Sequence, residues 1–230
     1  MLPVAILAGG LATRLRPLTE TIPKALVEIN GEPFLAHQLR LLRRSGIERV
    51  VLCAAYRGEQ IREYAGDGRA FGLRVEYSFD GPQLLGTAGA IRRALPLLGD
   101  NFFVLYGDSY LPCDYASVER TFLASKMAAL MTIFPNSDRW DTSNVEFSGG
   151  RIRAYDKVNR TAAMRHIDYG LGVFRRDVFE ALPEGQPVDL ASVYRDLVRR
   201  RELMAYEVPM RFYEIGSPEG MRELAEFLAR

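Results

Sequence analysis

Two groupings in this sequence can do chemistry: a glycine pair followed by cations, and a carboxylate at the end of an apolar run. Leu7 to Lys24 reads LAGGLATRLRPLTETIPK. Gly9 and Gly10 permit tight backbone geometry and close ligand approach, while Thr13, Arg14, Arg16 and Lys24 add donors and positive charge. Backbone N–H groups in a glycine turn, joined by a guanidinium and an ammonium, suit a triphosphate. Glycine pairs after strands are common, but strand, Gly pair, Thr-Arg and Pro-Lys occurring together favour a phosphate loop over a plain surface turn. The stretch is not a GKS/GKT P-loop, and GGLATR lacks the third glycine of a dinucleotide turn. The carboxylate is Asp108, which follows FFVLYG. At the carboxyl end of a central strand it suits Mg²⁺, a hard cation that shares its shell with substrate phosphates. A turn-forming aspartate is the bland alternative, which the first loop outweighs.

These residues need a rigid frame, and the pattern of apolar residues supplies one. Val4–Leu7 is a short buried strand. Leu35, Leu39 and Leu42 recur at helical spacing between Pro33 and Arg44, with Gly46 as terminator. Strands follow at 50–55, 73–78 and 102–106, with helices at 60–64 and 88–98 between them. That alternation predicts βαβ units and a mainly parallel sheet. Beyond Asp108 the texture changes: a helix at 115–125, strands at 128–134, 145–147, 151–155, 169–174 and 204–208, and helices at 178–182, 190–200 and 218–229. Ser148-Gly149-Gly150 reads as a hairpin turn, and this half as mixed sheet. The polar loops 135–144 and 159–168 either cover a ligand or are plain connections. Trp140 is expected to pack within its own loop, and His37 to be a helix-packing or surface residue.

The glycine loop resembles the signature of the sugar-phosphate nucleotidyltransferases, approximately (L/I)AGGxGTRLxPLT followed by PK, with Ala12 where that family usually has glycine. YGDS around Asp108 resembles its (N/G)GD element. FYEIGSPE at 212–219 resembles its W(x)DIGTPED element, with Glu214 in place of the aspartate; Ser217 and Pro218 would also serve as N-cap and first residue of the last helix. Tyr155-Asp156-Lys157 is similar to F(x)EKP, and Asp168-Tyr169-Gly170-Leu171-Gly172 to NAGIY. Ser143-Asn144-Val145 stands where a YGVV-like glycine would be. LGTAG at 85–89 most resembles the guanylyltransferases of mannose or heptose 1-phosphates; the short N-acetylmuramate 1-phosphate uridylyltransferases are also similar in look.

The resemblance implies a Rossmann-like three-layer α/β fold with a mainly parallel mixed central sheet, one domain over 1–230, with a nucleotide-binding half at 1–110 and a sugar-binding half at 111–230. It implies transfer of a nucleoside monophosphate from an NTP, GTP favoured, to a sugar 1-phosphate, with Mg²⁺ on Asp108 and Glu214. Arg14, Lys24, Asp108 and Lys157 would carry catalysis. Leu7, Ala8, Gly9, Gly10, Ala12, Thr13, Arg14 and Lys24 would bind nucleotide, with Leu85, Gly86 and Thr87 on the base side, where a helix-opening turn explains the same residues equally well. Tyr106, Gly107, Asp156, Lys157 and Gly170 would hold the sugar phosphate, although a surface ion pair is the alternative for Asp156 and Lys157.

Composition narrows the partners. The 230 residues are 48% hydrophobic and 26% charged, with a net charge of +1 that gives no reason to expect a nucleic-acid surface. Two cysteines, Cys53 and Cys113, form neither a disulfide framework nor a metal pattern. Met1 leads directly toward the first strand, with no leader and no apolar stretch long enough for a bilayer, so a cytoplasmic protein without a membrane partner is expected. The oligomeric state stays open, a homodimer included. A non-catalytic nucleotide-sugar-binding homologue, motivated by Ala12, Glu214 and the absent sugar-loop glycine, ranks below catalysis, and a nicotinamide-dependent oxidoreductase lower still.

Overall fold

The computed structural model describes residues 1–10, 15 and 17–230. Ala12, Thr13 and Arg14, together with Arg16, lie outside the described residues. The frame begins with β1 (Val4–Leu7), β4 (Arg49–Ala54), β5 (Arg74–Phe79) and β6 (Asn101–Tyr106), laid side by side in the order β5-β4-β1-β6, all parallel. Between them run α1 (Phe34–Arg44), α2 (Gly58–Ala65) and α3 (Gly86–Ala94), while the two-residue strands β2 (Glu28–Ile29) and β3 (Glu32–Pro33) pair just before α1. Near-continuous apolar runs in β1, β4 and β6 are what strands covered on both faces require.

The second half turns the sheet mixed. It comprises β7 (Ser109–Tyr110), α4 (Tyr115–Ala124), β8 (Ala129–Pro135), β9 (Val145–Ser148), β10 (Arg151–Tyr155), β11 (His166–Arg175), α5 (Asp177–Glu180), α6 (Leu190–Arg200), β12 (Leu203–Glu207), β13 (Tyr213–Glu214) and α7 (Pro218–Leu228). β11 runs antiparallel to β6 on one edge and to β8 on the other, and β12 adds parallel to β8. The β9–β10 hairpin meets the start of β11 at His166, with Gly149 and Gly150 at φ +59° and +72° in its turn. The 169–174 apolar run proves to be the middle of a longer strand.

Alternation along each strand divides the core into two layers. On one face Val4, Ile6, Val50, Leu52, Phe103 and Leu105 pack with Leu35, Leu39 and Leu42 of α1, Ile61 of α2 and Val118 of α4. On the other, Ala5, Val51, Cys53, Phe102 and Val104 pack with Ile91 of α3, Phe179 of α5 and Tyr194 and Leu197 of α6. This is the three-layer α/β arrangement. A smaller cluster of Ile29, Phe34, Tyr110, Ile215 and Leu224 fastens α7 against α1 and the two short ladders. His37 Nε2–H donates to Ile29 O at 2.8 Å, as a helix-packing residue. Trp140 corrects its expectation: it is 45% exposed, and its ring is covered by the Arg211 guanidinium from a distant segment, 3.4 Å from the centroid.

The chain leaves β1 toward β4 and β5, then returns to place β6 on the other side of β1. Ligands in open α/β sheets bind beyond the carboxyl ends of strands at such a reversal of order. Leu7 and Tyr106, the last residues of β1 and β6, are register partners there.

Candidate active site

At the ends of β1 and β6 the backbone is drawn unusually close. Gly107 N–H donates to Leu7 O at 3.0 Å, and a Cβ on Gly107 would lie 2.5 Å from that oxygen. Only glycine fits this contact, which lets the following residue, Asp108, emerge beside the glycine loop after β1. Asp108 is then fixed from a second direction. β7 pairs with β13 so that Glu214 is opposite Ser109, and Ile215 N–H donates to Asp108 O at 3.0 Å. A two-residue ladder thus brings the two predicted metal carboxylates to neighbouring positions. The sequence pattern is too short to announce either strand.

Lys24 opens a single 3₁₀ turn, Lys24–Leu26, behind Pro23. Its ammonium reaches Asp108 Oδ2 at 2.8 Å, with the two side chains 19% and 40% exposed, so the pair retains access to solvent and to a ligand. Glu214 is engaged differently. Its Oε2 accepts from Gly216 N–H and its Oε1 from the Ser217 hydroxyl at 3.1 Å. The additional methylene relative to aspartate is taken up by curling the carboxylate back to the start of α7, where unpaired N–H groups favour negative charge. Ser217 and Pro218 are the N-cap and first residue of that helix.

Two cavities meet at this point. The first, of about 300 Å³, is lined by Leu7, Ala8, Gly9, Gly10, Lys24, Gly86, Thr87, Gly107 and Asp108, with Tyr106, Cys53, Asp80 and Leu84. The second, of about 620 Å³, is lined by Lys24, Tyr106, Asp108, Lys157, Asp168, Gly170 and Glu214, with Asp141, Thr142 and Asn144 from the 135–144 loop. Lys24, Tyr106 and Asp108 belong to both. The Lys157 ammonium lies over the Tyr106 ring, 5.1 Å from its centroid.

Not every predicted site residue comes to these walls as expected. Leu85 is buried at 3% exposure, with its N–H held by Asp80 Oδ2 at 2.9 Å, and the exposed Leu84 lines the cavity instead. Gly86 is required by its φ of +68° and by Val188 O, which a Cβ would approach to 2.7 Å. Thr87 lines the cavity, but its hydroxyl accepts from Leu190 N–H at 2.7 Å and donates to Asp189 at 3.2 Å, helping to start α6. Gly107 lines the first cavity and not the second. Asp156 lines neither: its carboxylate accepts from Val158 N–H and Asn159 N–H at 2.8 and 2.9 Å, closing its own turn. Those two backbone donors hold its pKa below the usual carboxylate value.

Asp168 is the carboxylate the second cavity has in its place, and the sequence reading gave it no role. It begins an irregular stretch of β11, where Asp168 faces Ile133 but Gly172 already faces Met131, so the ladder to β8 is broken. Gly170, at φ +99°, lies within the break. Asp168 accepts from Gly170 N–H at 3.1 Å and from the Tyr155 hydroxyl at 3.2 Å. Burial pushes its pKa up, against the lowering influence of Lys157 and of those two donors. In the first cavity burial likewise raises Asp80 and pushes the Cys53 thiol up to about 12, so Cys53 is no nucleophile.

What the geometry defines is a mainly apolar chamber and a mainly polar one that share the Lys24–Asp108 contact. Residues 4–229 match the family described as nucleotidyl transferase, and the chain belongs to that family. It is 30% identical over 224 residues to N-acetylmuramate alpha-1-phosphate uridylyltransferase of Neisseria meningitidis serogroup B, covering 95% of this chain and 94% of that protein. It is 29% identical over 214 residues to D-glycero-alpha-D-manno-heptose 1-phosphate guanylyltransferase of Campylobacter jejuni, covering 93% and 94%. In fold it is similar to HddC of Yersinia pseudotuberculosis, crystallised with GMP-PN: TM-score 0.83, 24% identity, covering 99% of this chain and 100% of that one. Family and relatives make the protein an enzyme of the nucleotidyltransferase class.

Proposed function

We propose that this enzyme transfers a nucleoside monophosphate from an NTP, GTP favoured, to a sugar 1-phosphate, in a Mg²⁺-dependent reaction that releases pyrophosphate. The observation that carries this reading is the junction of the two cavities at Lys24 and Asp108. The NTP would occupy the first cavity, served mainly by residues 1–110, and the sugar 1-phosphate the second, served mainly by residues 111–230. The LGTAG resemblance and the guanylyltransferase relative support GTP.

A phosphate monoester has its second pKa near 6, so the sugar phosphate is largely dianionic at neutral pH and needs no general base. One of its oxygens attacks the α-phosphorus; the bond from that phosphorus to the bridging oxygen breaks, and pyrophosphate leaves with the electron pair. The protein's work is to hold the two anions in line and to offset charge at the reacting phosphorus. Lys24, at the junction, would contact the transferring phosphate, and Lys157, over Tyr106, the incoming one. Arg14 and the glycine loop would cradle the triphosphate.

Among the described residues no group of three or more His, Cys, Asp or Glu is placed to hold a metal. Asp108 and Glu214 nonetheless fit Mg²⁺, which is commonly bound through one or two carboxylates, several waters and substrate phosphates. When bound, it would neutralise phosphate charge and stabilise the leaving group. Among the described residues no helix is long and apolar enough to cross a membrane, and cytoplasmic action is part of the proposal. The non-catalytic alternative is disfavoured because Lys24, Asp108 and Lys157 converge on the same space.

Pyrophosphate release with Mg²⁺, GTP, UTP, CTP or dTTP, and mannose, glucose, heptose or N-acetylmuramic acid 1-phosphate tests the reading. Release with GTP and one acceptor is the expected result. Release only with another NTP would reject the GTP preference, and silence with every pair would reject the transfer.

A further inference from the structure

One buried side chain that lines neither cavity holds the backbone on both sides of Asp108. Gln38 of α1, 1% exposed, donates from Nε2 to Tyr106 O at 3.1 Å and to Ser109 O at 2.9 Å. Two carbonyl oxygens can accept only from the NH₂ end of an amide, so its neighbours set the orientation of this side chain. Its Oε1 is buried and has no hydrogen-bond partner among the described residues. A dry amide oxygen costs stability, whereas an apolar residue of the same size would leave the two carbonyls unpaired instead. What the position retains is a pair of donors.

Those donors complete a bracket around residues 106–109. Gly107 N–H is tied to Leu7 O and Asp108 O to Ile215 N–H, so the turn is gripped from β1, from the residue after β13 and from α1. The helix is itself fixed at this point. Leu35, Leu39 and Leu42 pack against the sheet, and Phe34, one turn before Gln38, packs with Tyr110 and Ile215. Asp108 must stay within reach of Lys24 where the two cavities join, and Tyr106, whose ring Lys157 overlies, belongs to the same turn. A displacement of about 1 Å in a reacting or orienting group is enough to slow a reaction by on the order of 100-fold.

We infer that Gln38 is a positioning residue for the transfer reaction: its amide fixes the 106–109 turn and thereby the carboxylate of Asp108 at the junction. This inference rests on the nucleotidyl-transfer reading. Gln38 contacts neither substrate in that reading and acts through Asp108.

Gln38→Met keeps the length and removes both donors. Gln38→Asn keeps the amide one methylene short, and gives the same signs at smaller size should the first variant fail to fold by circular dichroism. Amide hydrogen exchange in the absence of substrates and metal reads the turn directly. The Gly107 and Ile215 amides should exchange at least about tenfold faster in the variant, with Leu39 and Leu42 of α1 within about twofold of wild type. In turnover, kcat should fall about 10- to 100-fold while KM for the NTP and for the sugar 1-phosphate stays within about threefold. Made on Asp108→Ala, the same substitution should cost less than about twofold more, because the group it positions is gone.

Equal losses in the two backgrounds would overturn the inference and leave Gln38 a packing residue, with nucleotidyl transfer standing. Exchange at Gly107 and Ile215 that stays at the wild-type rate, or that rises no more than in α1, would overturn it as well. Wild-type silence with every NTP and acceptor would reject the transfer reading and this inference with it.

Discussion

The Lys24 ammonium lies 2.8 Å from Asp108 Oδ2, on the boundary between the two cavities. Each partner holds the other where a phosphate and its counter-ion would be needed. Asp108→Ala removes the carboxylate proposed to hold the metal and frees Lys24, and turnover in Mg²⁺ should fall on the order of 10²- to 10³-fold. Both side chains are partly open to solvent, so the melting temperature should change little. Pyrophosphate release, beside a thermal melt, separates these effects; activity retained at saturating Mg²⁺ would remove Asp108 from the metal site.

Lys157 makes a different prediction because it faces only the second cavity. Lys157→Ala should raise KM for the sugar 1-phosphate by roughly 10- to 100-fold, the scale of one charge-assisted hydrogen bond, with little change in KM for the NTP. Initial-rate kinetics in each substrate would decide it. An equal effect on both substrates would place Lys157 on the shared phosphate instead.

Glu214 is held by Gly216 N–H and Ser217, so its carboxylate is set before any ligand arrives. Glu214→Gln preserves the length and some of those contacts while removing the charge. The Mg²⁺ concentration for half-maximal rate should rise roughly tenfold or more. A Mg²⁺ titration giving the wild-type midpoint would assign Glu214 a purely structural part at the start of α7.

Much of this frame is legible in the sequence because the periodicities are clean. Leu35, Leu39 and Leu42 mark α1, the apolar runs mark β1, β4 and β6, and the Gly pair at 149–150 marks its hairpin. What was hidden depends on contacts between distant segments. The β7–β13 ladder has two residues on each side and no pattern of its own, yet it sets Glu214 beside Asp108. Leu84 and Leu85 are alike in composition; only the hydrogen bond from Leu85 N–H to Asp80 decides which one turns inward. Asp156 and Asp168 are both carboxylates in motif-like segments. Asp156 is consumed by backbone donors two and three residues ahead, whereas the broken register of β11 opens Asp168 to the cavity. The run D-x-x-N-R that follows Tyr155 carries the only local signal, since an aspartate followed by polar residues is a common seat for such a turn.

Gly107 tests the frame itself. A methyl there would meet Leu7 O at 2.5 Å and Ala8 Cα at 3.0 Å, both backbone atoms that cannot swing aside. Gly107→Ala should therefore separate the ends of β1 and β6, cost about 1–3 kcal/mol by urea denaturation, and reduce turnover even where the protein remains folded. Unchanged stability together with unchanged rate would show that the close approach is dispensable.

Asp168 gives a pH prediction with a definite sign. Burial raises its native pKa, while Lys157 opposes the shift and Tyr155, Tyr106 and Tyr194 surround it as neutral groups. Between the usual carboxylate value and the raised native one, the folded protein holds this proton more firmly than the unfolded chain does. Stability falls with rising pH wherever the native state binds more protons, so Asp168 favours the fold below that window and its contribution is lost as pH rises through it. Asp168→Asn removes the titration and should flatten that part of the profile. Melting temperature against pH for the two proteins, between about pH 4 and 7, reads the difference directly; parallel profiles would mean that the carboxylate is as well solvated in the folded protein as in the unfolded chain.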